Sequence, residues 1–181
     1  DPEHLFRIAE TGTIGAMAAH FGLIARYGRD YPHVPYLVKV NGKTNLRGSE
    51  PFSHQLWSVA QVVDLERFGR LSVVGVGYTI YLGSEFESEM LYQAAQLVAD
   101  AHRVGYLVVF WMYPRGKAVP DELNPHLVAG AAGVGCDLGA DYVKVNYPHG
   151  AAKVPAKAAF AEAVRAAGRT GVICAGGRQQ S

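Results

Sequence analysis

Asp141-Tyr142-Val143-Lys144-Val145-Asn146-Tyr147 sets a lysine in the middle of an apolar, β-branched run. Such a run reads as a strand. Side chains alternate along a strand, so Val143 and Val145 share one face while Tyr142, Lys144 and Asn146 share the other. With the valines packed beneath covering helices, Lys144 points into whatever the sheet encloses. A buried ammonium must find partners or give up its proton. Lys144 is therefore a lysine at an exposed strand end, a member of a structural ion pair, or a functional amine, because a neutral lysine is a nucleophile that forms Schiff bases.

Working outward, the letters Val-Lys-Val-Asn recur at Val38 to Asn41, in a strand running from Tyr36 and introduced by Pro32 and Pro35. There too Lys39 and Asn41 share a face. Further strands are expected at Gly15 to His20, Leu71 to Tyr81, Tyr106 to Arg115 and Gly171 to Gly177. Gly75 and Gly77 on one face of the Leu71 to Tyr81 strand would leave room in a crowded interior. Helices are expected at Asp1 to Thr11, Phe21 to Tyr27, Trp57 to Phe68, Ser84 to about Val104, Asp121 to Leu138 and Val154 to Ala167. Ser84 with Glu87 reads as a capping box opening the fourth helix.

Strand then helix, repeated with short connections, argues for a parallel α/β sheet covered by helices. Near-continuous apolar strands agree, since parallel strands are buried on both faces. A doubly wound nucleotide-binding sheet loses support because no Gly-x-Gly-x-x-Gly follows a first strand and no Walker loop is present. Polar residues near the C-terminal ends of several strands favour a TIM (β/α)8 barrel. Six strands can be placed where a barrel of about 250 residues has eight. The expectation is one barrel domain over residues 1–181, incomplete at both ends and lacking its first and last β/α units; the chain opens on Asp1 rather than methionine.

Composition narrows the function. Seventeen basic side chains balance sixteen acidic ones, which gives no electrostatic footprint for nucleic acid or an acidic membrane. Cys136 and Cys174 fit no metal-ligand spacing and read as buried small hydrophobes of a reducing, cytoplasmic compartment. The seven histidines show no metal-ligand pairing, so neither a metal nor another cofactor is expected. No apolar run is long enough to span a bilayer.

At one mouth of a barrel, Lys39, Trp111, Tyr113, Arg115, Lys144 and the Gly176-Gly177 pair form an intelligible constellation. Lys144 is the candidate nucleophile and Tyr113 the candidate proton carrier. Trp111 offers a flat wall, and Arg115 and Lys39 a positive field. Ala175-Gly176-Gly177 after a late strand suits phosphate binding through backbone N–H groups. Taken singly, each has a plain structural reading, and for Lys39 that reading leads.

Four ordered motifs then carry a resemblance: Val38 to Thr44 (VKVNGKT), Val76 to Tyr81 (VGYTIY), Trp111 to Gly116 (WMYPRG) and Leu138 to Lys144 (LGADYVK). Together they resemble the archaeal-type class I fructose-1,6-bisphosphate aldolases, over nearly the whole chain. The resemblance implies a (β/α)8 homo-oligomer that cleaves fructose 1,6-bisphosphate reversibly, without metal, to dihydroxyacetone phosphate and glyceraldehyde 3-phosphate. It assigns Lys144 to the Schiff base and Tyr113 to proton transfer. Trp111 and Arg115 take substrate-contacting positions, and Ala175, Gly176 and Gly177 a phosphate segment where the family commonly has Ser-Gly-Gly. The family's first-strand aspartate and last-strand Gly-Arg pair have no counterpart here. Lysine-dependent relatives that make an aminodideoxyheptulosonate or process a phosphorylated signalling sugar are the alternative, and a non-catalytic barrel protein is the third.

Overall fold

A computed structural model describes residues 1–44, 46, 50–150 and 155–175. The main sheet contains β1 (Met17–His20), β2 (Pro35–Lys39), β5 (Ser72–Leu82), β6 (Leu107–Pro114), β7 (Tyr142–Val145) and β8 (Gly171–Cys174), in that spatial order and all parallel. A short antiparallel pair, β3 (Asn41–Gly42) and β4 (His54–Gln55), stands above β2. Helices α1 (Pro2–Glu10), α2 (Phe21–Tyr27), α3 (Val59–Gly69), α4 (Glu87–Arg103), α5 (Pro125–Asp137) and α6 (Ala156–Ala166) alternate with the strands.

The order of the main strands never reverses, which separates this singly wound sheet from a doubly wound one. All six strands also turn a side chain or their approach toward one shared space. Ala18, Leu37, Val74, Val109, Lys144 and Ile173, one from each strand, line a cavity of about 530 Å³. A sheet with a common concave face is the wall of a TIM barrel, and that is the fold.

Outward-facing residues form the core between sheet and helices. Val76, Tyr78 and Ile80 of β5, Phe110 and Met112 of β6, and Val143 and Val145 of β7 are fully buried there. Gly135 of α5 matters to β7: a Cβ there would stand 2.2 Å from Cγ1 of Val143. The missing side chain lets the helix sit directly on the strand, pinning the valine face outward and Lys144 inward.

Three sequence expectations change. The fourth helix opens at Glu87 rather than Ser84. Ser84 Oγ instead donates to the Pro51 carbonyl at 2.7 Å, and the Glu87 carboxylate accepts from the Gly83 N–H. A full capping box does occur at Ser58 and Gln61, opening α3. The fifth helix begins at Pro125, because Asn124 caps it by accepting from the His126 and Leu127 N–H groups. Cys174 is exposed, since β8 is the edge strand of the described sheet, and Cys136 is only partly buried. No helix among the described residues is long and apolar enough to cross a membrane.

Candidate active site

Register brings the central pair together. Trp111 on β6 lies opposite Lys144 on β7, and Ile173 on β8 flanks the lysine on its other side. Trp111 and Lys144 both line the interior cavity, together with Leu107 and Val109 below them. The face assigned from strand alternation is the face observed.

The indole of Trp111 leans across β5. A Cβ added to Gly77 would stand 2.2 Å from Cζ3 of Trp111, so only glycine leaves space for the ring. Gly75 has a similar duty toward the Leu107 carbonyl, again at 2.2 Å. Gly77 is itself the register partner of Lys39 on β2. Lys39 therefore reaches over the same ring, with its ammonium 5.1 Å from the centroid, a cation–π distance. Burial, reinforced by the charge of Lys144, holds the Lys39 amine below the ordinary lysine range.

Tyr113 follows Trp111 by two residues on the same strand and face and is half-buried. Its ring lies 6.5 Å from that of Tyr81. Burial pushes the Tyr113 phenol up, the neighbouring Tyr81 adds to this, and the Arg115 cation opposes it. At neutral pH Tyr113 is accordingly a phenol, a proton donor beside a cation able to steady its phenolate.

Arg115 stacks 5.7 and 5.8 Å from the rings of Tyr81 and Tyr113. Its Nε and Nη2 donate to the two carboxylate oxygens of Glu122 at 2.6 Å each. This bond raises the guanidinium further above its already high range. The fork leaves Nη1 for a further anion. Nothing in the sequence motif singled out Glu122.

Two more residues escaped the sequence reading. Asn41 is fully buried, and its side chain replaces a strand rung: Nδ2 donates to the Thr79 and Ser53 carbonyls, and Oδ1 accepts from the Thr79 N–H, all at 2.8 Å. Glu50, also buried, accepts from the N–H of Glu85 at 3.2 Å and of Lys117 at 2.9 Å. It thereby clasps the loops that follow β5 and β6, which carry the chain away from Tyr81 and Tyr113.

At the phosphate candidate, the Ala175 N–H donates to the Val145 carbonyl at 2.8 Å, so this donor is committed to the ladder. Gly176 and Gly177 lie outside the described residues. Among the described residues no group of three His, Cys, Asp or Glu side chains is placed to hold a metal ion.

The arrangement sets a lysine amine on the inward face of one strand and a tyrosine phenol on the strand beside it. Comparisons with known proteins place the chain in a family. The family described as DeoC/LacD family aldolase matches residues 1–181. The chain is 54% identical over 178 residues to a fructose-bisphosphate aldolase/6-deoxy-5-ketofructose 1-phosphate synthase of Methanocaldococcus jannaschii, covering 98% of this chain and 56% of that protein. With the class 1 fructose-bisphosphate aldolase of Thermoproteus tenax it shares 37% identity over 177 residues, covering 98% and 62%. A solved fructose-bisphosphate aldolase from Slackia heliotrinireducens superposes with TM-score 0.95 at 55% identity, over 98% of this chain and 57% of that one. An archaeal fructose-1,6-bisphosphate aldolase, solved with its catalytic lysine covalently bound to the carbinolamine intermediate, gives TM-score 0.86 at 35% identity, over 99% and 66%. The chain thus spans roughly three-fifths of the length of these relatives.

Proposed function

The chain belongs to the DeoC/LacD family of aldolases, and on that premise we propose that the intact protein is a class I, Schiff-base fructose-1,6-bisphosphate aldolase with Lys144 as its nucleophile. The observation that carries this reading is the placement of Lys144 beside Trp111 on the inward face of the sheet, with Tyr113 two residues further along the neighbouring strand.

The chemistry follows from these groups. The Lys144 amine attacks the ketone carbon of the open-chain sugar and forms a carbinolamine. Tyr113, a phenol at rest, gives its proton to the carbinolamine hydroxyl, which departs as water and leaves an iminium. The resulting phenolate, steadied by Arg115, takes the proton of the hydroxyl two carbons away from the iminium carbon, as the bond between that hydroxyl-bearing carbon and the carbon next to the iminium breaks. The electron pair of that bond flows into the iminium and gives an enamine, and the aldehyde half departs. Protonation of the enamine and addition of water release dihydroxyacetone phosphate and the free amine. Trp111 walls the reacting carbons. Arg115 contacts the substrate through Nη1, and the phosphate of the ketone half is taken by the segment after β8, through the N–H groups of Gly176 and Gly177, since that of Ala175 is committed to the ladder.

Residues 1–181 on this reading belong to a single barrel domain of a homo-oligomeric, cytoplasmic enzyme. The test is cleavage of fructose 1,6-bisphosphate by the intact protein in the presence of a chelator. Activity that survives the chelator and falls about a thousandfold or more in a folded Lys144→Ala variant supports the proposal. Chelator-sensitive cleavage, or cleavage by the variant, overturns it. The name of the Methanocaldococcus jannaschii relative carries a second reaction, 6-deoxy-5-ketofructose 1-phosphate synthesis. The same amine would serve it, and product analysis separates the two.

A further inference from the structure

Two polar groups on the inward face are not used by the chemistry above. Lys39 holds its ammonium over the Trp111 ring, and among the described residues no carboxylate or hydrogen-bond acceptor pairs with it. Thr79 is 1% exposed, and its Oγ1 has no hydrogen-bond partner among the described residues. A desolvated cation and a buried, unsatisfied hydroxyl each oppose folding. Both sit on adjacent strands: Lys39 pairs with Gly77, and Thr79 follows Gly77 by two residues and so shares its face. Thr79 is also the register partner of Trp111. The two groups thus flank the indole that stands beside Lys144.

Their direction from Lys144 is informative. Strand order runs β2, β5, β6, β7, β8, with the Ala175 segment after β8 on one side of Lys144 and Lys39 and Thr79 on the other. A sugar joined to Lys144 through its ketone carbon, with its ketone-half phosphate toward β8, extends its other half across β6. That half passes Tyr113, where the bond breaks, and arrives at β5 and β2.

We infer that Lys39 and Thr79 form a subsite for an oxygen of the sugar half that leaves as the aldehyde. The ammonium donates to that oxygen. The threonine hydroxyl donates to it as well, or accepts from it where the oxygen is a hydroxyl. The inference rests on the Schiff-base reading of Lys144 and adds to it a determinant of which sugars are cleaved.

The competing structural role is that Lys39 merely holds the indole by cation–π attraction. The two roles predict different signs. Lys39→Met keeps the length and removes the charge. As a subsite residue, its loss leaves thermal stability equal or higher, because an unpaired desolvated cation has gone. At the same time kcat/KM for fructose 1,6-bisphosphate falls about tenfold or more beyond any change in borohydride trapping of dihydroxyacetone phosphate, which lacks the departing half. Thr79→Val shows the same split and Thr79→Ser restores cleavage. As a purely structural residue, Lys39→Met lowers Tm and depresses trapping and cleavage together. Fructose 1-phosphate identifies the oxygen. A defect confined to the bisphosphate assigns the distal phosphate, and a defect shared by both sugars assigns a hydroxyl. Cleavage at wild-type kcat/KM by both Lys39→Met and Thr79→Val overturns the subsite, as does equal loss of trapping and cleavage. Absence of an adduct in the wild-type protein would overturn the Schiff-base reading itself, an outcome visible before any variant is measured.

Discussion

A side chain on Gly77 would meet Cζ3 of Trp111 at 2.2 Å, so the indole occupies space that any other residue would fill. The glycine thereby decides where the wall beside Lys144 stands. Gly77→Ala forces the ring back toward the lysine or the strands apart. Overpacking of this kind costs about 1–3 kcal/mol. Because the ring touches the reacting carbons on the proposed mechanism, kcat/KM should fall about tenfold or more. Denaturant unfolding and steady-state kinetics on one preparation test both.

Asn41 makes three hydrogen bonds of 2.8 Å from a fully buried side chain and ties β5 to the chain beyond β2. Asn41→Leu leaves the Thr79 N–H and two carbonyls without these partners. A loss of about 3 kcal/mol is expected from the usual penalty for stranded buried groups. A shift in the urea midpoint at unchanged slope is the readout.

Glu50 joins the loops after β5 and β6 through the N–H groups of Glu85 and Lys117. Glu50→Ala frees both amides. Hydrogen exchange at these two positions should accelerate, with core strands still protected. Cleavage should drop about tenfold, because Tyr113 and Arg115 lie at the start of one freed loop. Unchanged exchange at both amides would contradict the clasp.

Alkaline pH separates two opposing linkages. Burial pushes Tyr36 up to about 12, and it pushes Tyr78 and Tyr106 up as well. Groups raised in the folded state stabilise it fully below their unfolded value, near 10, and that contribution is lost as pH climbs further. Lys39 has the reverse sign. Its pKa is lowered in the folded state, first by burial and then by Lys144, so it opposes folding at neutral pH. This opposition disappears as pH rises through the folded value toward 10.5. The Tm advantage of Lys39→Met over wild type should therefore be greatest near neutrality and shrink toward pH 10.5. The tyrosine contribution is common to both proteins and cancels in the difference. A constant gap across that range would contradict the burial of a charged Lys39.

The strand of Lys144 was legible because alternation alone divides Val143 and Val145 from the lysine, and the structure buries both valines completely. The six strands were legible as near-continuous apolar runs between turn residues, and glycine at residues 75 and 77 correctly announced a crowded interior. Relations between strands were not. Lys39 meets Trp111 only because β2 and β6 both flank β5, and a linear chain does not display that neighbourhood. Glu50 reaches Lys117 across 67 residues, with no local signal to mark it. Ser84 looked like a helix cap, but a tertiary partner, the Pro51 carbonyl, claims its hydroxyl. Arg115 was read from its motif as a substrate contact, and no signal there showed that Glu122, in the following turn, holds two of its nitrogens.

The central claim is that Lys144 forms an imine with a phosphorylated ketone. The direct measurement is borohydride reduction of the intact protein with dihydroxyacetone phosphate, followed by peptide mass spectrometry. The account predicts a reduced adduct on the peptide bearing Lys144, absent from a folded Lys144→Ala protein. A folded, intact wild-type protein that yields no adduct, or one that carries it on Lys39 instead, would contradict the account.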